Sequence, residues 1–187
     1  MARIPYASTG GAGAAAAALP DLNIFRMLAH AQTAAEPCLR FASALLSELQ
    51  LDPGLRELAI LQVAKQTEAR YEWVQHDAIG RRVGLADGQI AAVASGALQD
   101  ESLSPAQRAV LAFTAEVVRT PRASDAVFDA VAAHLSPREI VELLLTIGNY
   151  TMLARVMTTL DLELDEPVGE RTVAAAQRAR EGEGPPD

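Results

Sequence analysis

The sequence predicts an all-α protein, and three observations support this fold class. Apolar residues recur at helical spacings along most of the chain, and no segment keeps the alternating pattern of a half-buried strand. The segments 104–107 and 136–139 both have the pattern of a capping box, which begins a helix. The 187 residues are 50% hydrophobic but only 4% aromatic. We therefore expect an aliphatic, alanine-rich core, which closely packed helices provide.

Start and stop signals divide the chain into eight predicted helices. Pro20 and Asp21 precede the first helix, and Asp52-Pro53 gives the third an N-cap followed by proline at the first helical position. Gly84 is a plausible C-cap for the fourth. The predicted ranges are 21–30, 37–49, 53–65, 67–84, 87–95, 105–119, 125–134 and 137–160.

The eighth predicted helix is apolar on nearly all sides, so we expect it at the centre of the fold or at a subunit interface. It is also the most apolar long run of the chain. Glu142, Asn149 and Arg155 interrupt it, which argues against a membrane span.

Composition changes at both ends of the chain. Residues 1–18 are predicted to be a flexible arm, since they are rich in Ala and Gly without the charge pattern of a signal peptide. Residues 167–187 are charged and contain many helix breakers, which predicts a largely disordered tail. One helical domain is expected between them, at residues 19–166.

The net charge of −8 argues against nucleic acid or an anionic membrane as a partner. A single cysteine excludes an intramolecular disulfide and fits a reducing cytoplasm. The three histidines are far apart in sequence, and no glycine-rich loop follows a strand, so we expect no metal and no cofactor.

The segment 70–76 (RYEWVQH) concentrates titratable and aromatic residues in an otherwise aliphatic region. On a helix, Glu72 and His76 stand at i and i+4 and share a face. A carboxylate one turn before an imidazole can fix the ring tautomer and raise its basicity, as a general base requires. The segment could equally be a surface Glu–His pair beside a tryptophan, Trp73, that anchors the core. Glu57 has the same ambiguity, because it could point outward and pair with Arg56 or Lys65.

These motifs occur in an order that resembles the carboxymuconolactone decarboxylase family, which shares its fold with the alkyl-hydroperoxidase D (AhpD) proteins. The resemblance covers roughly residues 20 to 165. It rests on Glu57, Tyr71-Glu72-Trp73, His76 and Gly84-Leu85, with further likeness in 23–30, 55–58 and 150–155.

The resemblance implies an AhpD-like bundle of about eight helices, working as a homotrimer or homohexamer with a pocket between subunits. It implies a cofactor-independent lyase that acts on a small molecule. The residues it marks as catalytic are His76, Glu57 and Glu72. Those it marks as substrate-binding are Tyr71, Trp73, His30 and Tyr150.

One departure from the family pattern bears on the chemistry. The peroxidase branch has a Cys-x-x-Cys pair before the histidine, and in this register those positions fall on Ala69 and Glu72. The only cysteine, Cys38, lies far upstream. Peroxide reduction by that route needs a low-pKa thiolate and a resolving thiol.

The resemblance, without the cysteine pair, implies acid–base chemistry, either decarboxylation or proton transfer, on a carbonyl- or lactone-bearing carboxylate. His76 would carry the proton, while Glu57 and Glu72 would orient the imidazole. An alkyl-hydroperoxidase-like antioxidant and a catalytically silent oligomeric binding protein are the two alternatives.

Overall fold

The computed structural model describes residues 1–8 and 21–167, and within these ranges all regular secondary structure is helical, with no strand. The predicted all-α fold is confirmed. One 3₁₀ turn, Ala29–Ala31, joins the first two helices. The helices are α1 (Asn23–Leu28), α2 (Gln32–Ser47), α3 (Pro53–Gln66), α4 (Arg70–Arg82), α5 (Asp87–Ser95), α6 (Pro105–Arg119), α7 (Asp125–Ala132) and α8 (Pro137–Thr159).

The two predicted capping boxes begin α6 and α8. Ser104 Oγ accepts a hydrogen bond from the Gln107 backbone N–H at 3.2 Å, and Gln107 Oε1 accepts one from the Ser104 N–H at 2.8 Å. Ser136 and Glu139 make the same reciprocal pair at 3.3 and 2.8 Å. Each pair satisfies backbone donors that the first turn of a helix leaves free, so the two helices begin where the sequence predicts.

The predicted start of the second helix is wrong. The helix begins at Gln32, and Pro37 lies inside it. A proline within a helix costs one backbone hydrogen bond and crowds the preceding turn. Here the apolar side of the helix, with Ala35, Leu39, Leu45 and Leu46 buried, compensates for that cost.

Helix α3 is the centre of the fold and packs against α4, α6 and α8. Asp52 caps its start, accepting a hydrogen bond from the Leu55 N–H at 3.0 Å. Every residue from Arg56 to Ala64 is buried, so the helix has no outward face at these positions. The alternative in which Glu57 points into solvent is therefore wrong.

The ends of the described chain are packed on the helical domain. The Arg3 N–H donates to the Leu160 carbonyl at 2.9 Å, and the Glu163 N–H donates to the Tyr6 hydroxyl at 3.0 Å. Residues 1–8 thus contact the segment after α8. The rest of the predicted arm and the predicted tail lie outside the described residues.

Helix α8 is long and apolar enough, by length and composition alone, to cross a membrane. More than half of the apolar stretch of α8, 56%, is buried inside the domain. A core helix of this length meets the same criterion, and α8 packs against α3 as such a helix does.

Candidate functional site

A cavity lies between α1, α2, α4 and α8. The volume open to the centres of water-sized molecules is about 90 Å³. At the roughly 30 Å³ that one water takes up in the liquid, this space accommodates about three waters or one small organic molecule. Among the described residues its wall is aliphatic and aromatic apart from Cys38, Ser43, Tyr71, Glu72, Gln75, His76 and Tyr150.

Three buried side chains from α3 and α4 form a bonded row beside this cavity. His76 Nδ1 lies 2.7 Å from Glu57 Oε2, and Arg56 Nε donates to Glu57 Oε1 at 2.9 Å. Arg56 Nη1 donates to the Leu46 carbonyl at 2.8 Å. Both oxygens of the Glu57 carboxylate thus have partners, which a fully buried charge requires.

These partners decide the protonation of Glu57. Burial alone would raise its pKa, but the charges and hydrogen bonds of His76 and Arg56 outweigh burial and lower the pKa below its usual range. Glu57 is therefore ionised at neutral pH and can only accept hydrogen bonds. It follows that His76 Nδ1 is the donor. In the neutral imidazole the lone pair is then on Nε2, as a general base requires.

Glu72 is in a different situation although it lines the same cavity. Only 1% of it is exposed, and neither of its carboxyl oxygens has a hydrogen-bond partner in the described part of the chain. Burial raises its pKa well above the usual range, and the charge of Glu57 raises it further. The expectation that Glu72 orients the imidazole is corrected here, because Glu57 makes that bond. The predicted helix face is nonetheless shared, since Glu72 and His76 both line the cavity.

Two tyrosines complete the wall around His76. The ring of Tyr150 meets the imidazole edge-on, with centroids 4.8 Å apart and planes at 86°. Burial raises the pKa of Tyr150 well above its usual range, and the nearby charge of Glu57 raises it further. The Tyr71 hydroxyl donates to Asp165, beyond α8, which also accepts from the Asn23 N–H at 2.7 Å. This carboxylate thus holds α1 against α4 on one side of the cavity.

His30 and Trp73 do not line this cavity. His30 is exposed, with Nε2 2.7 Å from the Pro5 carbonyl oxygen. Trp73 is half-buried and packs against a separate apolar cluster that includes Leu58 and Leu85. Their predicted role in substrate binding stays a prediction, and within one chain it would require a second site.

Sequence reasoning missed Cys38 as a cavity residue. Its helix, α2, packs across the cavity from α4, so residues distant in sequence face each other. Burial raises the pKa of the Cys38 thiol. No local motif marks the position, and only the packing of α2 reveals it.

Among the described residues, no three side chains of His, Cys, Asp or Glu are grouped closely enough to hold a metal ion. Glu57 and His76 are adjacent, but Arg56 occupies the other carboxylate oxygen.

Comparison with known proteins identifies the fold. The structure superimposes with a TM-score of 0.73 on an uncharacterised peroxidase-related protein with an AhpD core from Ralstonia eutropha, at 22% identity, over 94% of this chain and 97% of the other. A peroxidase-related protein from Silicibacter sp. gives 0.69 at 19% identity, over 77% and 76%. The debrominase Bmp8, in complex with 2,3,4-tribromopyrrole, gives 0.68 at 16% identity, over 86% and 82%.

No family model matches the sequence, and no curated protein matches it either. The chain has the AhpD-like fold, which confirms the fold implied by the sequence resemblance. Proteins of this fold include enzymes, as the debrominase illustrates. At these identities the likeness extends to the fold alone.

Proposed function

We propose that this protein is a cofactor-independent acid–base enzyme that moves a proton on a carbonyl- or lactone-bearing small molecule. The observation that supports this most directly is the bond between His76 Nδ1 and the ionised Glu57, at the wall of a small, mostly apolar cavity. The same arrangement of carboxylate and imidazole beside an apolar pocket serves general-base catalysis widely.

The chemistry follows from the two nitrogens of the imidazole. His76 Nε2 takes a proton from the carbon next to the substrate carbonyl, and the electron pair of the broken C–H bond moves onto the carbonyl oxygen as an enolate. Glu57 stabilises the imidazolium that forms, because its carboxylate accepts from Nδ1–H. The imidazolium then returns the proton to the same carbon or to the conjugated γ-carbon, so the step is redox-neutral.

Between the two reactions expected from the sequence, the lining of the cavity favours proton transfer over decarboxylation. Among the described residues no lysine or arginine lines it, and the nearby Arg56 is bonded to Glu57. A substrate carboxylate would enter without a counter-ion, which is costly in an apolar site. Decarboxylation of a carboxymuconolactone-type substrate remains the family-based version of this proposal.

Thiol chemistry is a second candidate, and the position of Cys38 in the cavity wall is the observation that favours it. The raised pKa of this thiol opposes it, because the thiolate is the nucleophile. A catalytically silent binding protein is favoured less, since the cavity wall combines His76, Glu72 and Tyr150 and is not wholly apolar.

We also propose that the protein is a homo-oligomer. Val141, Leu144, Leu145 and Met152 on α8 are exposed at 55, 40, 46 and 44%. They recur at helical spacing and form one exposed apolar stripe on α8, named here the α8 stripe. A contiguous apolar face of this kind is typical of a protein interface.

The test of the proposed activity uses a neutral lactone, α-angelica lactone, incubated with the protein in deuterated water. NMR should show deuterium entering the ring carbon next to the carbonyl faster than in buffer. His76→Ala should slow this exchange at least about a hundredfold, the usual scale for a positioned acid–base group. His134→Ala is the matched control, because His134 is exposed and does not line the cavity. An unchanged rate in His76→Ala would refute the role of the imidazole.

A further inference from the structure

Glu72 is the buried group that the proposed mechanism does not use. Its side chain is part of the cavity wall, and both carboxyl oxygens are sealed from solvent without a hydrogen-bond partner among the described residues. Buried polar groups nearly always have partners, so such a carboxyl needs an explanation. A ligand in the cavity can serve as that partner once the carboxyl turns toward it, because in its present position neither oxygen is open to a water-sized molecule.

The surroundings of Glu72 determine which form of the carboxyl can exist there. An isolated carboxylate is very costly to bury, whereas a neutral carboxylic acid is not. The one nearby cation on α3, Arg56, donates to Glu57 and to a backbone carbonyl. Glu57 itself is negatively charged and opposes a second negative charge. Among the described residues, the titratable side chains that line the cavity with Glu72 are Cys38, Tyr71, His76 and Tyr150, and the charge of Glu57, which is bonded to Arg56, also acts on Glu72.

We propose that Glu72 is a neutral carboxylic acid at neutral pH and that it donates a hydrogen bond to the carbonyl oxygen of an uncharged ligand in the cavity. A carboxylic acid kept neutral in an apolar site can donate to an oxygen that gains negative charge. This inference rests on the proposed function in one respect, because the enolate formed by His76 would then have its oxyanion donor in Glu72. The substrate class becomes an uncharged ketone or lactone.

The protonation of Glu72 can be measured without any substrate. Protein labelled with ¹³C at the glutamate side-chain carboxyl carbon gives one NMR signal for each glutamate, and Glu72→Gln assigns the signal of Glu72 by its loss. At pH 7 we expect the chemical shift of a protonated carboxyl. A carboxylate shift at pH 7 would overturn the proposal.

The ligand class is tested with three probes of similar shape: acetophenone, benzoate and ethylbenzene. At pH 7 acetophenone should bind at least about tenfold more tightly than benzoate and should shift the Glu72 signal. Glu72→Leu should weaken acetophenone binding about three- to tenfold, the scale of one hydrogen bond, while leaving ethylbenzene binding unchanged. Glu72→Gln keeps a donor and should stay within about twofold of the natural protein.

The outcomes separate this inference from the proposed function. Equal binding of benzoate and acetophenone, or unchanged acetophenone binding in Glu72→Leu, would overturn the inference whatever the activity. If Glu72→Leu does not fold, the natural protein decides the question. Acetophenone binding to it is then measured above the pH at which the Glu72 signal titrates. Binding should weaken there and should not weaken in Glu72→Gln. Unchanged deuterium exchange in His76→Ala would refute only the proposed activity, since these measurements require no turnover.

Discussion

His76 and Glu57 are nineteen positions apart in sequence, and their side chains meet at 2.7 Å between α3 and α4. The same carboxylate also holds Arg56 at 2.9 Å. Glu57 therefore joins the candidate base to a buried cation, and its loss would affect both. The bond to His76 is the one that the proposed chemistry uses. The bond to Arg56 stabilises the buried core by pairing its charge.

Glu57→Gln is expected to destabilise the protein. The amide can accept from only one of the two donors, so it leaves Arg56 or His76 facing an N–H group. Breaking a buried ion pair by removing one partner costs about 3–5 kcal/mol. Chemical denaturation should show this loss in the free energy of unfolding. The double variant Arg56→Met, Glu57→Gln should recover part of it, because no unpaired cation remains. Equal stability of Glu57→Gln and the natural protein would contradict the buried pair.

Helix boundaries were predictable where a local start signal exists. Ser104 and Ser136 bond to their own first turns, and Asp52 caps α3, so these helices begin as the sequence predicts. The predicted boundary of α2 is wrong because proline usually marks the first turn of a helix, whereas Pro37 lies further inside this one. Its position inside the helix depends on the packing of residues before and after it, which local sequence does not report.

The candidate site was predictable only in part, for a similar reason. The helical spacing of Glu72 and His76 correctly places both on one face, at the cavity. It does not reveal that Glu57, from the neighbouring helix, makes the bond to His76 in place of Glu72. Contacts between helices depend on how they pack, so the position of Cys38 could not be predicted either.

Glu72 should make stability fall as pH rises. Its pKa is raised in the folded state, so above the unfolded value of about 4.3 the folded protein keeps a proton that the unfolded chain has lost. The resulting loss is at most about 1.4 kcal/mol for each pH unit, until the folded pKa is reached. Glu72→Gln is neutral throughout, so its stability relative to the natural protein should increase between pH 5 and pH 8.

Chemical denaturation at those two pH values measures the difference. Glu101→Gln is the control, since Glu101 is exposed and should give the same stability difference at both. A pH-independent difference for Glu72→Gln would mean that Glu72 titrates in the folded protein as it does in the unfolded chain.

Cys38→Ser should leave deuterium exchange within a few-fold of the natural rate. The thiol lines the cavity, but burial raises its pKa and keeps it protonated, so it serves as wall and not as nucleophile. Alkylation of the natural protein can still block activity, because an added group would fill the cavity. The serine variant separates these effects, and a loss of a hundredfold or more with the fold intact would favour thiol chemistry.

The α8 stripe should hold the oligomer together. Val141 and Leu145 are four positions apart on one face of α8 and are exposed at 55 and 46%. Placing two carboxylates there would bury like charges in an apolar interface, which is costly without partners. Light scattering of the natural protein should give three or six times the mass of the 19.8 kDa chain. The double variant Val141→Glu, Leu145→Glu should give the monomer mass with the helical circular dichroism unchanged.

Phe128→Glu is the matched control, because Phe128 is similarly exposed, at 44%, but lies on α7. A monomeric natural protein at micromolar concentration would refute the proposal, and an intact oligomer in the double variant would place the interface elsewhere.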